Sequence, residues 1–164
     1  KGRRGVTENV ASIVGLCAAA ELAAGHIEQE NTYVRGLRDK LQSLIFRSIP
    51  DSILNGHPEN RLPNTLNVSF GYIEGEAILL MLDEHGICAS SGSACTSGSL
   101  EPSHVLRAMG IPYTAAHGSV RFSLSVYNKQ EEIETTANAL AQIVTRLREI
   151  SPFSAESDFM PSSS

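Results

Sequence analysis

Only three cysteines occur in 164 residues, Cys17, Cys88 and Cys95, and no two share a paired spacing. That excludes a disulfide framework and leads us to expect a reducing, cytoplasmic setting. Cys88-x6-Cys95 with His104 beyond it is not a zinc spacing, so no metal site is expected. Basic residues are also scarce: 13 Lys and Arg stand against 18 Asp and Glu, for a net charge of -5, and Arg3-Arg4 is the only adjacent basic pair. A nucleic-acid surface needs a basic patch, so that class of partner is excluded. No apolar run reads as approaching the roughly 20 residues of a membrane span, and no signal peptide opens the chain. No membrane partner is therefore expected. No internal repeat is visible. An initiator Met is missing ahead of Lys1-Gly2-Arg3-Arg4, and no strand precedes it. That suggests part of a longer protein.

What is present suits one globular domain, with 41% hydrophobic and 19% charged residues. Positions 8–47 contain no proline and are rich in Ala, Leu, Glu and Arg, all good helix formers. Ile13, Leu16, Ala20, Ala24 and Ile27 recur at helical spacing, as do Val34, Leu37, Leu41 and Leu44. The spacing predicts one helix of ~60 Å, or two parted near Gly25. Thr7 is the expected N-cap, and Cys17 falls on the stripe expected to be buried.

Beyond Pro50, Thr65-Leu66-Asn67-Val68-Ser69-Phe70 alternates polar and apolar residues and predicts a half-buried strand. Ser52-Ile53-Leu54 and Ile87-Cys88-Ala89 predict shorter strands, the second with Cys88 in the core. Positions 74–84 predict an amphipathic helix with Ala77, Leu80 and Met81 on one face, stopped by His85-Gly86. Pro102 at a first helical position predicts a helix through Met109, ended by Gly110. Ser119-Val120-Arg121-Phe122-Ser123-Leu124 alternates again and puts Arg121 on the polar face beside Ser119 and Ser123. Ile133, Ala137, Leu140, Val144 and Leu147 stripe the last helix. The sum is an α+β fold, a short sheet covered by helices and preceded by a long helix. It divides into a connecting segment (1–50), a small domain (51–151) and a flexible tail (152–164).

Four features bear on chemistry. Cys95 sits in Ser90-Ser91-Gly92-Ser93-Ala94-Cys95-Thr96-Ser97-Gly98-Ser99, ten residues without charge, aromatic or large aliphatic. Such a run cannot pack a core and favours a loop. Its thiol is either an idle surface group or a nucleophile able to visit a site and withdraw, since thiolate is intrinsically reactive. Arg121, flanked by small serines, is either solvated or offers its planar fork to the carboxylate of a small ligand. Thr7 lies in Arg3-Arg4-Gly5-Val6-Thr7-Glu8-Asn9 at a helix start, where it either caps the helix or belongs to an anion site. The five histidines, His26, His57, His85, His104 and His117, are scattered, and surface roles are expected for them.

Taken together, the Ser90 to Ser97 string, Leu100-Glu101-Pro102-Ser103-His104-Val105-Leu106-Arg107 and Val120-Arg121-Phe122-Ser123-Leu124 resemble the cysteine desulfurases of the NifS/IscS type, within the class V aminotransferases. The Gly-Ile-Cys-Ala lead-in at 86–89 and Leu-Glu-Pro-Ser-His lean towards the NifS branch, which serves nitrogenase maturation. The resemblance covers positions 2 to about 152. It implies the small C-terminal domain of a homodimeric fold-type I enzyme that uses pyridoxal 5'-phosphate. Such an enzyme takes L-cysteine to L-alanine and passes the sulfur to an iron-sulfur scaffold protein. By the same resemblance Cys95 matches the catalytic nucleophile that becomes a persulfide, and Arg121 matches the substrate-carboxylate ligand. Thr7 matches the threonine that reaches across the dimer to the cofactor phosphate. The family usually has Ala-Gly where Gly5-Val6 stand, and Gly-Arg where Ser125-Val126 stand. No lysine here matches the one that carries the cofactor, so this chain alone is expected neither to hold the cofactor nor to turn over cysteine. The resemblance leaves a selenocysteine lyase or cysteine sulfinate desulfinase as an alternative. A stand-alone sulfur-carrier module is a third reading.

Overall fold

In the computed structural model of the chain, residues 7–91 and 103–151 are described. The expectations for Cys95 and its serine-glycine string, for Pro102 and for the tail 152–164 lie outside the described residues.

Positions 10–48 form one helical rod. It runs through α1 (Val10–Gln29), a π-helical turn (Glu30–Val34) and α2 (Arg35–Ser48). Of the two expected forms the unbroken one is observed, with Gly25 inside α1. The π turn coincides with side chains that compete for the helical ladder. Asn31 Nδ2 donates to the Ile27 carbonyl at 3.0 Å, and Thr32 Oγ1 donates to the Glu28 carbonyl at 2.8 Å. Such back-bonding loosens the local i to i−4 pattern. The N-cap is Asn9 rather than Thr7: Asn9 Oδ1 accepts from the Ser12 N–H at 3.1 Å. Thr7 stands exposed ahead of the helix.

Burial divides the rod at the π turn. Val34, Leu37, Leu41 and Ile45 enter the core, whereas α1 buries no residue at all. Cys17 is therefore exposed and not, as expected, a core residue. Helical spacing defines a face but says nothing of what covers it. The expectation about apolar runs also needs correcting. Among the described residues one helix, Val10–Ser48, is long and apolar enough to cross a membrane by length and composition, and its apolar window is uncovered. Alanines and glycines separate its large apolar side chains, yet Glu21 is the one Asp, Glu, Lys or Arg at positions 10–27.

Four antiparallel strands follow, β1 (Ser52–Leu54), β2 (Thr65–Phe70), β3 (Ser90–Ser91) and β4 (Ser119–Ser123), in the order β1-β2-β4-β3. Leu66, Val68 and Phe70 on β2, with Val120 and Phe122 on β4, form the apolar side of the sheet. They join one core with α2, α3 (Gly75–Glu84) and α6 (Gln130–Ile150). The expected stripe on α6 is buried at Ile133, Ala137, Leu140 and Val144, with Leu147 packed against the core. In α3 Gly75, Ile78 and Leu82 are buried and Met81 of the predicted face packs against the core, whereas Leu80 is 72% exposed. Cys88 precedes β3 and is exposed, against the expectation of a core strand there. The helix expected from Pro102 is α4 (His104–Ala108), capped by Ser103, whose Oγ accepts from the Val105 N–H at 3.2 Å. A short α5 (Tyr113–His117) was not foreseen.

Two glycines make the sheet's close approaches possible. A Cβ at Gly118 would stand 2.1 Å from the Phe70 carbonyl oxygen, and one at Gly75 would stand 2.6 Å from that of Ser119. At the far end, Asp51 (φ 53°) and Tyr72 (φ 69°) adopt left-handed backbone, which costs a residue with a Cβ. Arg148 and Ser151, at the C-terminal end of α6, hold these turns. Arg148 donates to the Gly71 and Asp51 carbonyls at 3.2 and 3.4 Å, and Ser151 Oγ donates to that of Tyr72 at 2.6 Å. Burial lowers the Arg148 guanidinium pKa, opposed by the nearby Asp51.

Candidate functional site

The strand alternation that buries Val120 and Phe122 turns Arg121 and Ser123 to the opposite face, where both are exposed. Register then sets the neighbours of Arg121. Asn67 of β2 lies directly across on one side and Ser90 of β3 on the other. Side chains so paired point to the same face of the sheet. The three make a polar row across β2, β4 and β3. Arg121 Nη2 donates to Ser90 Oγ at 3.4 Å, a long hydrogen bond. Among the described residues no carboxylate pairs with Arg121.

The row continues inward. Asn55, just past β1, is 6% exposed, and Ser69 is fully buried. Asn55 Nδ2 donates to Asn67 Oδ1 and to Ser69 Oγ, both at 2.8 Å, and the Asn55 N–H donates to the Asn67 carbonyl at 2.9 Å. The Oδ1 of Asn55 is buried with no hydrogen-bond partner.

Of the three residues predicted for the site, only Arg121 is placed here. No hydrogen bond or ion pair joins Thr7 to it among the described residues. Cys95 lies outside them, four residues past Ser91 in sequence. Sequence reasoning missed Asn67 and Ser90. Their signal lay in strand register, which alternation within a single strand does not contain.

Of the two described lysines, Lys40 Nζ lies 2.5 Å from Glu134 Oε1, and Lys129 immediately precedes α6. No group of three or more His, Cys, Asp or Glu among the described residues could hold a metal ion. A second concavity lies between α1 and two loops, lined chiefly by Leu22, Ile27, Leu62, Pro63, Val126 and Tyr127. It contains none of the predicted site residues.

Comparison with protein families places this geometry. The family model for the class-V aminotransferases matches residues 2–136. The chain belongs to the class-V aminotransferase family. Among curated relatives of this family, a cysteine desulfurase NifS from Azotobacter vinelandii is 61% identical over 153 residues. The match covers 93% of this chain and 38% of that protein. A cysteine desulfurase from Gluconacetobacter diazotrophicus is 55% identical over 166 residues, covering 98% of this chain and 42% of the relative. The chain therefore spans about two fifths of the length of these relatives. Among solved class-V structures, a NifS-like protein superposes with a TM-score of 0.75 at 33% identity, covering 89% of this chain and 36% of the other. A NifS-like protein from Rickettsia africae gives 0.74 at 31%, covering 87% and 36%. The α+β fold expected from the sequence is the fold of these proteins.

Proposed function

We propose that the chain is the C-terminal part of a cysteine desulfurase, in which Arg121 binds the carboxylate of L-cysteine and Cys95 accepts its sulfur. The observation that carries this reading is the placement of Arg121. It is an exposed arginine with no carboxylate partner among the described residues, on a polar sheet face, in the strand that pairs with β3. The names of relatives at 55–61% identity support the same reading, as does the family model.

The chemistry balances with these residues. The Cys95 thiolate attacks the sulfur of the bound cysteine, and a new S–S bond forms as the substrate C–S bond breaks. The carbon keeps the electron pair of the broken bond and takes a proton, which gives L-alanine. Cys95 is left as a persulfide, which hands its outer sulfur to an acceptor. Attack requires the two sulfurs to come within about 3–3.5 Å. Arg121 fixes the substrate by its carboxylate through a charge-assisted, two-point contact, leaving the thiol end directed at the incoming Cys95.

Pyridoxal 5'-phosphate, bound to the full-length protein, would supply an electron sink for the substrate's amino acid carbon. The residues here fit a supporting role only. Thr7 is exposed ahead of α1 and free to offer its hydroxyl to the phosphate in a partner subunit's site, whereas Lys40 is engaged by Glu134. The carrier lysine belongs to the remaining three fifths of the protein. That same part of the protein covers α1, whose apolar side chains find no cover here. We read α1 as a protein-covered helix and not a membrane span, because its rod continues without a break into the buried α2. A homodimer in the cytoplasm, delivering sulfur to an iron-sulfur scaffold protein for nitrogenase maturation, completes the proposal.

The full-length protein tests it. Incubated with L-cysteine and a thiol reductant, it should yield one alanine and one sulfide per cysteine consumed. Sulfide accompanied by pyruvate instead of alanine would reject a desulfurase.

A further inference from the structure

The polar row on the sheet contains more than Arg121. Asn67 is its direct cross-strand neighbour, half-buried between the exposed arginine and the buried pair Asn55 and Ser69. A free asparagine amide offers both a carbonyl oxygen and an NH2 group. Here the choice is made by Asn55. Its Nδ2 occupies Asn67 Oδ1 at 2.8 Å, and its backbone N–H occupies the Asn67 carbonyl at 2.9 Å. Asn55 is itself fixed by burial and by its contact with Ser69 Oγ at 2.8 Å. Asn67 Nδ2 is left without a partner among the described residues.

Beside Arg121, this end of Asn67 makes a surface of donors alone. The guanidinium fork has no acceptor, and the acceptor of the neighbouring amide is turned towards Asn55. Ser90 Oγ, on the other flank, accepts from Arg121, so its own proton is free to point outward. A row with hydrogen-bond donors on three adjacent strands suits an anion with more than one oxygen. A carboxylate meets both requirements, charge and two acceptor atoms.

We infer that Asn67, held by Asn55, is a second ligand of the substrate carboxylate and shares it with Arg121. The inference rests on the reading of Arg121 as the carboxylate site, and it adds a specificity element to that site. Two neighbouring donors that must both be satisfied discriminate against thiols without a carboxylate, because an unmatched polar group in a closed site is costly.

The test uses the full-length enzyme with its cofactor. Asn67→Ala should raise KM for L-cysteine by about 10-fold or more, the worth of a hydrogen bond to a charged group, with kcat within twofold. Asn67→Asp should raise KM as far as Arg121→Ala does, since its carboxylate would pair with Arg121 and repel the substrate. Inhibition by cysteamine, which has the thiol and amine but no carboxylate, should be the same in Asn67→Ala and the parent enzyme. Asn67→Ser gives the same reading should the alanine variant fold poorly. An unchanged KM in the alanine or serine variant, alongside a raised KM in Arg121→Ala, would overturn the role of Asn67 and leave the desulfurase reading intact. A parallel loss of cysteamine binding would mark Asn67 as a structural residue and overturn it too. If Arg121→Ala itself leaves KM unchanged, the carboxylate site falls, and with it both proposals.

Discussion

Arg121 gains its role from what surrounds it as much as from its charge. Ser123 is short and exposed, Ser90 meets the guanidinium through one long hydrogen bond, and Asn67 turns its acceptor towards Asn55. The fork is thus open to a ligand that brings its own two oxygens. Charge-assisted hydrogen bonds of this type contribute roughly 1.5–3 kcal/mol, so Arg121→Ala in the full-length enzyme should raise KM for L-cysteine by about 10- to 100-fold. Because the contact is made to bound substrate and product alike, kcat should change far less. Arg121→Lys should recover only part of the loss, because an ammonium keeps the charge without the planar fork. Steady-state kinetics on the three proteins checks this. A kcat collapse with unchanged KM would move Arg121 from binding to chemistry.

Among the elements, α6 illustrates how local rules and tertiary needs coincide. Its stripe from Ile133 to Leu147 seals the sheet, and its start is set by Glu132. Glu132 Oε2 accepts from the Lys129 N–H and from Asn128 Nδ2, both at 3.0 Å. Those hydrogen bonds, that of Asn128 foremost, lower the Glu132 pKa. A carboxyl with a depressed folded-state pKa stabilises the fold above its unfolded value and loses that contribution as pH falls through the folded value. Thermal midpoints measured on the acid side of the ordinary glutamate range should therefore fall less steeply in Glu132→Gln than in the parent. The group is fully exposed, so the difference will be small. Equal acid slopes would show that the cap does not titrate. Strand and helix periods were legible wherever the pattern and its cover lie within the chain, as with Thr65 to Phe70 and the α6 stripe. They misled at Cys17 and Leu80, where a face was visible but not what lay against it. The π turn at 30–34 was invisible for another reason: Asn31 and Thr32 act through back-bonds that composition does not reveal.

At the scale of the whole molecule, the chain has one well-packed core and one uncovered helix. Val14, Leu16 and Leu22 are exposed by 62–70%, in a helix that buries nothing. An apolar face of this size, exposed over 20 residues, marks a surface suited to contact with another protein element. The relatives are more than twice as long as the stretch they share with this chain. The site was legible in the same uneven way. Arg121 was legible as an exposed residue on the polar face of its strand, whereas the row of Asn67, Arg121 and Ser90 needed strand register, which joins residues far apart in sequence.

The central claim is that Cys95 takes the sulfur while the rest of the chain holds the substrate for it. The most direct measurement is alanine formation by the full-length Cys95→Ala enzyme at saturating L-cysteine. The account predicts unchanged cofactor content, an unchanged spectral response on adding L-cysteine, and no alanine or sulfide above background. Alanine formed at the parent rate would contradict it.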